Sequence, residues 1–529
     1  MSDISNKINR LTDILRRDDG ISGAMHYTEQ ISWVLFLKFL NDYEEGKADE
    51  ALMENTTYSH VLPPELRWHS WACPKDAQGN IDVKRAHTGD ELKDFVNDTL
   101  FPYLKSCNED QRDTHNMRYK IGAIFEYLDN RIVSGHTLRE VLDIIDSMDF
   151  QSREDLFELS RIYEDLLKGM GSDGGNSGEF YTPRAVIKAM VQALDPQVGE
   201  TVYDGAVGSA GFLVEAFEHM RQQEMSATQH AFLQSRTFYG MEKTSLGYVM
   251  GMMNMILHGI ESPHVAKGNT LAQNIMDYGE GDRHDVILAN PPFGGKENAQ
   301  MQQNFTVKSN ATELLFMQHF MKRLRMGGRA AILIPEGILF QSNNAFAKVK
   351  KDLLENFNLH TILSLPSGVF LPYSGVKTNV VFFDRAGSTS TIWYYEVNPA
   401  KKLTKNNPIT SDHLAEFLYL FNHPELRNKT DKKRKVSSSA VENDFKARVF
   451  EDGVFEEGVF EKWDVIDKVG ENDWTLAASD IADYDLSAKN PYKKVEVIHR
   501  SPQEIIGSIK ENDVQIAQLM NDIEGLIDG

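Results

Sequence analysis

The chain has 529 residues, and at roughly 150 residues per domain that length suits about three domains rather than one. Its 56 Lys and Arg against 78 Asp and Glu leave a formal charge of −22, while 41% apolar and 25% charged residues are ordinary globular values. A surface this acidic repels a phosphate backbone at low salt, which excludes a histone-like, autonomous DNA binder but not a nucleic-acid enzyme whose DNA is presented by another subunit.

Residues 1 to about 170 read as a helical domain. The opening MSDISNKINR is polar where a secretory signal is apolar. Ile4, Ile8, Leu11 and Leu15 recur at spacings of three and four, one face of a helix. Residues 31–40 are apolar nearly all round and are expected to cross the middle of this domain. The most apolar run, 34–40, is far short of the ~20 residues that span a bilayer, so a cytoplasmic protein without membrane contact is expected. Residues 61–80 look irregular, and helical pattern resumes at 90–104 and 153–170. Cys73 and Cys107 are too few for a disulfide framework or a four-cysteine zinc site and read as buried or free thiols.

At 171–178 the Gly/Ser run GSDGGNSG marks a boundary. Beyond it, to about residue 400, strand patterns at 201–204, 237–242, 285–289, 329–335, 360–366, 379–384 and 391–397 alternate with helical ones. The helices fall at 185–194, 211–221, 245–258, 314–325 and 345–356. This rhythm predicts an α/β fold, a Rossmann-like, mostly parallel sheet with helices on both faces and ligands beyond the carboxyl ends of its strands. Residues 401–500 read as an irregular or helical extension with basic islands at 401–407 and 431–435. In 501–529, Ile505, Ile509, Ile516, Leu519, Ile523 and Leu526 define the two seams of a short amphipathic or coiled-coil helix, with Asn512 interrupting one of them.

The first strand of the α/β region ends in Asp204, followed by Gly205, Gly208 and Gly211 in a tight strand-to-helix turn. The G-x-x-G-x-x-G spacing is not that of a dinucleotide fold, and no phosphate loop of the GxxxxGK[ST] type occurs. Glu242 closes the next strand, where a carboxylate can accept hydrogen bonds from both hydroxyls of a ribose. Together these point to an adenosine-containing cofactor.

The run DVILANPPFGG, 285–295, carries the reaction. Two prolines at a strand end forfeit two backbone donors, so Asn290, Pro291, Pro292 and Phe293 call for a chemical reason. An amino group conjugated to an aromatic ring is planar and a poor nucleophile. The Asn290 side-chain oxygen and the Pro291 carbonyl can accept both its N–H groups, which turns the nitrogen tetrahedral and aims its lone pair at an incoming methyl. Phe293 then offers a face on which a flipped base stacks.

NPPF at 290–293, DGAVGSAGF at 204–212, EFYTPR at 179–184 and GVKTNVVFF at 375–383 together resemble the modification (M) subunit of type I restriction–modification systems. That family consists of adenine-N6 DNA methyltransferases that use S-adenosyl-L-methionine. The resemblance implies that Glu179, Phe180, Tyr181, Thr182, Pro183 and Arg184 border the cofactor, with Phe180 to Pro183 near its methionine end. It places Asp204, Gly208, Ser209, Ala210 and Gly211 in the turn beside the cofactor, Glu242 on its ribose and Asn269 near its adenine ring. Asn290 and Phe293 would hold the target base. The family's commoner form has Pro after the Asp of the turn, and Gly205 here is expected to loosen it. No metal is expected, since a sulfonium is already an activated donor. The implied partners are DNA, a specificity (S) subunit, a second copy of the M subunit and, for restriction, a restriction (R) subunit; the tail heptad is expected to meet the S subunit. Enzymes that methylate a protein glutamine or a ribosomal guanine also use Asn-Pro-Pro, but they are usually much shorter and lack the helical front and the tail. A non-catalytic scaffold would have had no reason to keep Glu242, Asn290 and Phe293.

Overall fold

The computed structural model describes residues 3–76, 81–82, 84–109, 116–148, 181–371, 374–428 and 472–492. The helical pattern at 153–170, the basic run at 431–435 and the tail heptad fall outside them.

Helices of nine or more residues are numbered in chain order. The amino-terminal domain is built on α1 (Asp3–Leu15), α2 (Ala24–Met53), α3 (Met117–Phe125) and α4 (Gly135–Asp146). Ile8, Leu11 and Leu15 are buried on one face of α1, as their spacing predicts. Residues 31–40 are buried throughout within the 30-residue α2. Lys38 in that stretch is bonded to Asp42 one turn on, which is how an ammonium is accommodated there. The segment read as irregular contains a turn of helix, Trp68–Trp71, with both indoles buried. Folding also brings Asp42, Glu45 and His69 close together, a grouping that linear spacing does not reveal.

The rest is organised by one nine-stranded sheet of order β3-β2-β1-β4-β5-β7-β6-β8-β9. Its parallel half comprises β1 (Val202–Asp204), β2 (Phe238–Glu242), β3 (His264–Lys267), β4 (His284–Ala289) and β5 (Leu324–Pro335). Then β7 (Thr378–Asp384) runs antiparallel to both β5 and β6 (Asn358–Ser364). β8 (Thr391–Glu396) is parallel to β6, and β9 (Asp473–Ala477) is antiparallel to β8. The sheet is mostly parallel, as expected, with five parallel pairings of eight, but mixed, since the pairings of β7 and β9 are antiparallel. The reason is local: no crossover helix separates β6 from β7, and without one a strand returns antiparallel. The strands β3 and β9 have no counterpart among the expected elements, and β9 carries the sheet beyond residue 400. Residues 324 and 325, read as the end of a helix, instead open β5.

Burial on both faces follows the period of two. Along β4, Val286 and Leu288 join one core and Ile287 and Ala289 the other; along β5, Ala331 and Leu333 oppose Ala330, Ile332 and Ile334. One face is covered by α5 (Arg184–Leu194), α6 (Gly211–Met220), α8 (Ser245–Leu257) and α11 (Asp412–Asn422). The other is covered by α9 (Thr312–Arg323) and α10 (Asn344–Asn356); α7 (Ala227–Arg236) precedes β2.

Helix α8 is buried at every residue from Gly247 to Leu257. Its methionine-rich sequence has no polar stripe because it lies between the sheet and the helical domain, packed against α2 and α3. Lys120 of α3 donates to the Pro263 carbonyl at 2.7 Å, and Tyr127 meets Tyr248 edge-on at 5.8 Å. Among the described residues no helix is long and apolar enough to cross a membrane.

Candidate active site

Strand β1 delivers Asp204 to the carboxyl edge of the sheet, and the chain then turns into α6 through two left-handed residues, Gly208 (φ +51°) and Ala210 (φ +63°). Glycine adopts that conformation freely; Ala210 does so at a cost of about 1–2 kcal/mol, so the turn is held by its surroundings. Gly208 donates its N–H to Glu242 Oε2 at 2.9 Å, and the Ser209 carbonyl accepts from Asn254 Nδ2 at 2.8 Å. Helix α8 approaches so closely that a Cβ on Gly251 would lie 2.7 Å from the Gly208 carbonyl oxygen. At Gly205, expected to loosen the turn, the surroundings are close-packed. A Cβ there would meet the Phe320 ring at 2.9 Å, and Thr270 and Tyr203 Oη at 3.2 Å, so the space a proline would occupy is filled by packing.

Glu242 is buried, with Oε1 accepting from the Thr244 N–H and hydroxyl, both at 2.7 Å. These bonds fix its orientation and leave lone pairs for further donors. Asn269 lies just past β3, whose Lys267 is in register with Glu242, and its side chain accepts from the Leu271 N–H. Asp204 is only 1% exposed: Oδ1 accepts from Ala206 N–H, while Oδ2 has no partner among the described residues. Burial, with the nearby Glu242 charge adding to it, pushes this carboxyl up to about 8 against the opposing pull of the Ala206 N–H.

From β4 emerges Asn290. Its Nδ2 donates to Thr182 Oγ1 at 2.9 Å, and its Oδ1 is buried without a partner among the described residues. Pro291 is buried and Pro292 partly so. Phe293 is half-buried and meets Phe370 edge-on, ring centres 5.8 Å apart and planes at 90°. The loop then bends at Gly294 (φ +74°), whose N–H is bonded by the Glu313 carboxylate at the start of α9.

A single cavity is lined by Thr182, Asp204, Gly208, Ser209, Gly211 and Asn290, with Ile187, Val207 and Phe212 as apolar wall. Sequence-expected residues from three separate motifs thus converge there. Pro183 precedes α5 and stands next to this wall, and Tyr181 is half-buried. Arg184, the first residue of α5, lies 3.8 Å from Glu215 of α6, an ion pair between helices. Glu179 and Phe180 lie outside the described residues. Asn254, Phe370 and Glu313 were not anticipated: Asn254 is one polar residue in an apolar helix, and Phe370 one aromatic in a Gly/Pro-rich loop, signals too faint alone. His284, to which the sequence gives no role, is buried and stacked on Tyr203 at 4.8 Å. Burial and the adjacent Arg323 push its pKa down to about 3, so it stays neutral.

The orphaned oxygens of Asp204 and Asn290, set in one pocket, leave two buried polar atoms for a ligand to pair. Comparison with known proteins gives the family. Residues 153–454 match the N-6 DNA Methylase family and residues 4–145 the HsdM N-terminal domain. The chain is 34% identical over 528 residues to the type I restriction enzyme EcoEI methylase subunit of Escherichia coli, covering 99% of this chain and 97% of that one. It superposes on a modification subunit of a putative type I restriction enzyme from Vibrio vulnificus YJ016 with a TM-score of 0.76 at 34% identity, covering 94% and 98% of the two chains. A chain from a structure addressing assembly and conformational transition of the type I R-M system gives 0.71 at 38% identity, covering 99% and 98%. The chain belongs to the type I methylase subunits of the N-6 DNA methylase family, and it is a DNA adenine-N6 methyltransferase.

Proposed function

We propose that this chain transfers a methyl group from S-adenosyl-L-methionine to N6 of an adenine flipped out of DNA, as the modification subunit of a cytoplasmic type I restriction–modification complex. The observation that carries the reading is the Asn290 side chain: Thr182 takes its amide nitrogen, which leaves Oδ1 buried and without a partner among the described residues. A buried acceptor without a partner costs about 1–3 kcal/mol, and an exocyclic amine supplies the missing donor.

When bound, S-adenosyl-L-methionine supplies a methyl group already activated on a sulfonium. Glu242 accepts from the ribose hydroxyls, Asn269 stands on the adenine side, and the Asp204 carboxyl offers its free oxygen to the cationic end. Residues 179–184 border the cofactor, with Phe180 to Pro183 near its methionine end and Thr182 shared between cofactor and target. Asn290 Oδ1 and the Pro291 carbonyl accept the two N–H groups of the target amine, and Phe293 stacks on the base. Catalysis here is positioning and exclusion of water rather than acid–base chemistry. Sequence specificity comes from a separate S subunit, with a second copy of this chain and an R subunit completing the assembly.

Asn290→Ala tests the assignment. Methyl transfer should fall by at least about 10²-fold, the order expected for losing one aimed polar group, while S-adenosylhomocysteine binds as before by calorimetry. Equal loss of ligand binding would move Asn290 from the base to the cofactor.

A further inference from the structure

Helix α9 begins without a side-chain cap, since its N-cap residue is Ala311. The catalytic loop supplies the cap instead: the Gly295 carbonyl accepts the Thr312 N–H at 3.2 Å, and the Glu313 carboxylate in the first turn accepts the Gly294 N–H. The two exchanges resemble a capping box made between distant segments. The fit is tight, because a Cβ on Gly295 would lie 2.5 Å from Thr312 Oγ1. The main chain stays paired just beyond, with Glu297 N–H donating to Asn310 O at 2.9 Å.

Six and seven residues further along α9, His319 accepts or donates between Tyr203 Oη (2.8 Å) and Tyr278 Oη (3.1 Å), and Phe320 fills the space over Gly205. Tyr203 immediately precedes Asp204, and Tyr278 ends the segment that starts at Asn269. One twelve-residue helix therefore grips the loop that carries Phe293, the turn that carries Asp204 and the segment beyond Asn269.

We infer that Glu313 is a positioning residue of the methyl transfer: through Gly294 it fixes the Asn290–Phe293 loop on α9, and α9 references that loop to the cofactor turn. Gly294 turns the loop at positive φ, and Glu313 is the group that pins it. A carboxylate in the first helical turn is favoured by the helix dipole, so the pin is stable where it stands. The inference rests on the proposed assignment of Asn290 and Phe293 to the target base.

The test uses the full chain in complex with its specificity subunit. Three quantities are read: S-adenosylhomocysteine affinity by calorimetry, fluorescence of 2-aminopurine placed at the adenine the parent complex methylates, and single-turnover methyl transfer. Glu313→Ala should slow transfer by roughly 10²-fold, the scale of a misplacement near 1 Å, and change the 2-aminopurine signal while S-adenosylhomocysteine binds unchanged. Glu313→Gln keeps an oxygen that accepts the Gly294 N–H and should recover most of the rate. Should the alanine variant not fold, Glu313→Asp, one methylene short, should be slow in the same way with normal ligand affinity. Parental rates in the alanine or aspartate variant, a glutamine variant as slow as alanine, or a loss shared equally by ligand binding would overturn the inference. Failure of the underlying site reading would show separately, as transfer retained by Asn290→Ala.

Discussion

Asp204 sits where its carboxyl must choose between a proton and a partner. Folded, it titrates near 8 instead of the ordinary 3.8, so the native chain holds a proton that the unfolded chain has released. The stability this contributes is full below about pH 3.8 and is lost as pH rises through about 8. Asp204→Asn removes the titration, so the variant's melting temperature should gain on the parent's as pH is raised across that window; a pH-independent difference would mean Asp204 is already charged in the fold. At this scale part of the candidate site was legible: Asp204 and Asn290, read from separate short strings, line one cavity, and Glu242 bonds the turn beside it. The bond between Thr182 and Asn290 joins residues 108 apart, and no spacing rule reaches across that distance. Thr182 was expected beside the cofactor, but not as the residue that orients the Asn290 amide.

Among the elements, α8 helps to shape the turn after β1, and it does so through a glycine and an asparagine in a largely apolar helix. A Cβ at Gly251 would press on backbone, the Gly208 carbonyl, rather than on a side chain that could swing away. Gly251→Ala should therefore cost about 1–3 kcal/mol of stability by denaturant unfolding and weaken S-adenosylhomocysteine binding, with the turn displaced. Full retention of both would show that α8 stands further from the turn than described. The alternation of strands and helices was readable because each βαβ unit carries its own period. β3 was missed because its four residues, HVAK, place a single buried apolar side chain. β9 was missed because it pairs with β8 from across a long intervening stretch, and pairing of that kind leaves no local pattern. The antiparallel return of β7 was readable in principle from the missing crossover helix.

For the molecule as a whole, the charge of −22 and the pocket describe a division of labour. An acidic chain gains little from long-range attraction to phosphate, and on the proposed function the pocket holds one cofactor and one flipped base while other subunits bring the DNA. The helical domain packs on α8, and α8 packs on the turn after β1, so the amino-terminal part of the chain buttresses the site although none of its described residues lines the cavity. The measurement that bears most directly on this account is incorporation of labelled methyl from S-adenosyl-L-methionine into DNA by the chain alone and with its specificity subunit, followed by digestion to nucleosides. The account predicts little incorporation by the chain alone, strong incorporation with the partner, and all of the label in N6-methyladenine. Label in another base, or full site-specific activity without the partner, would contradict it.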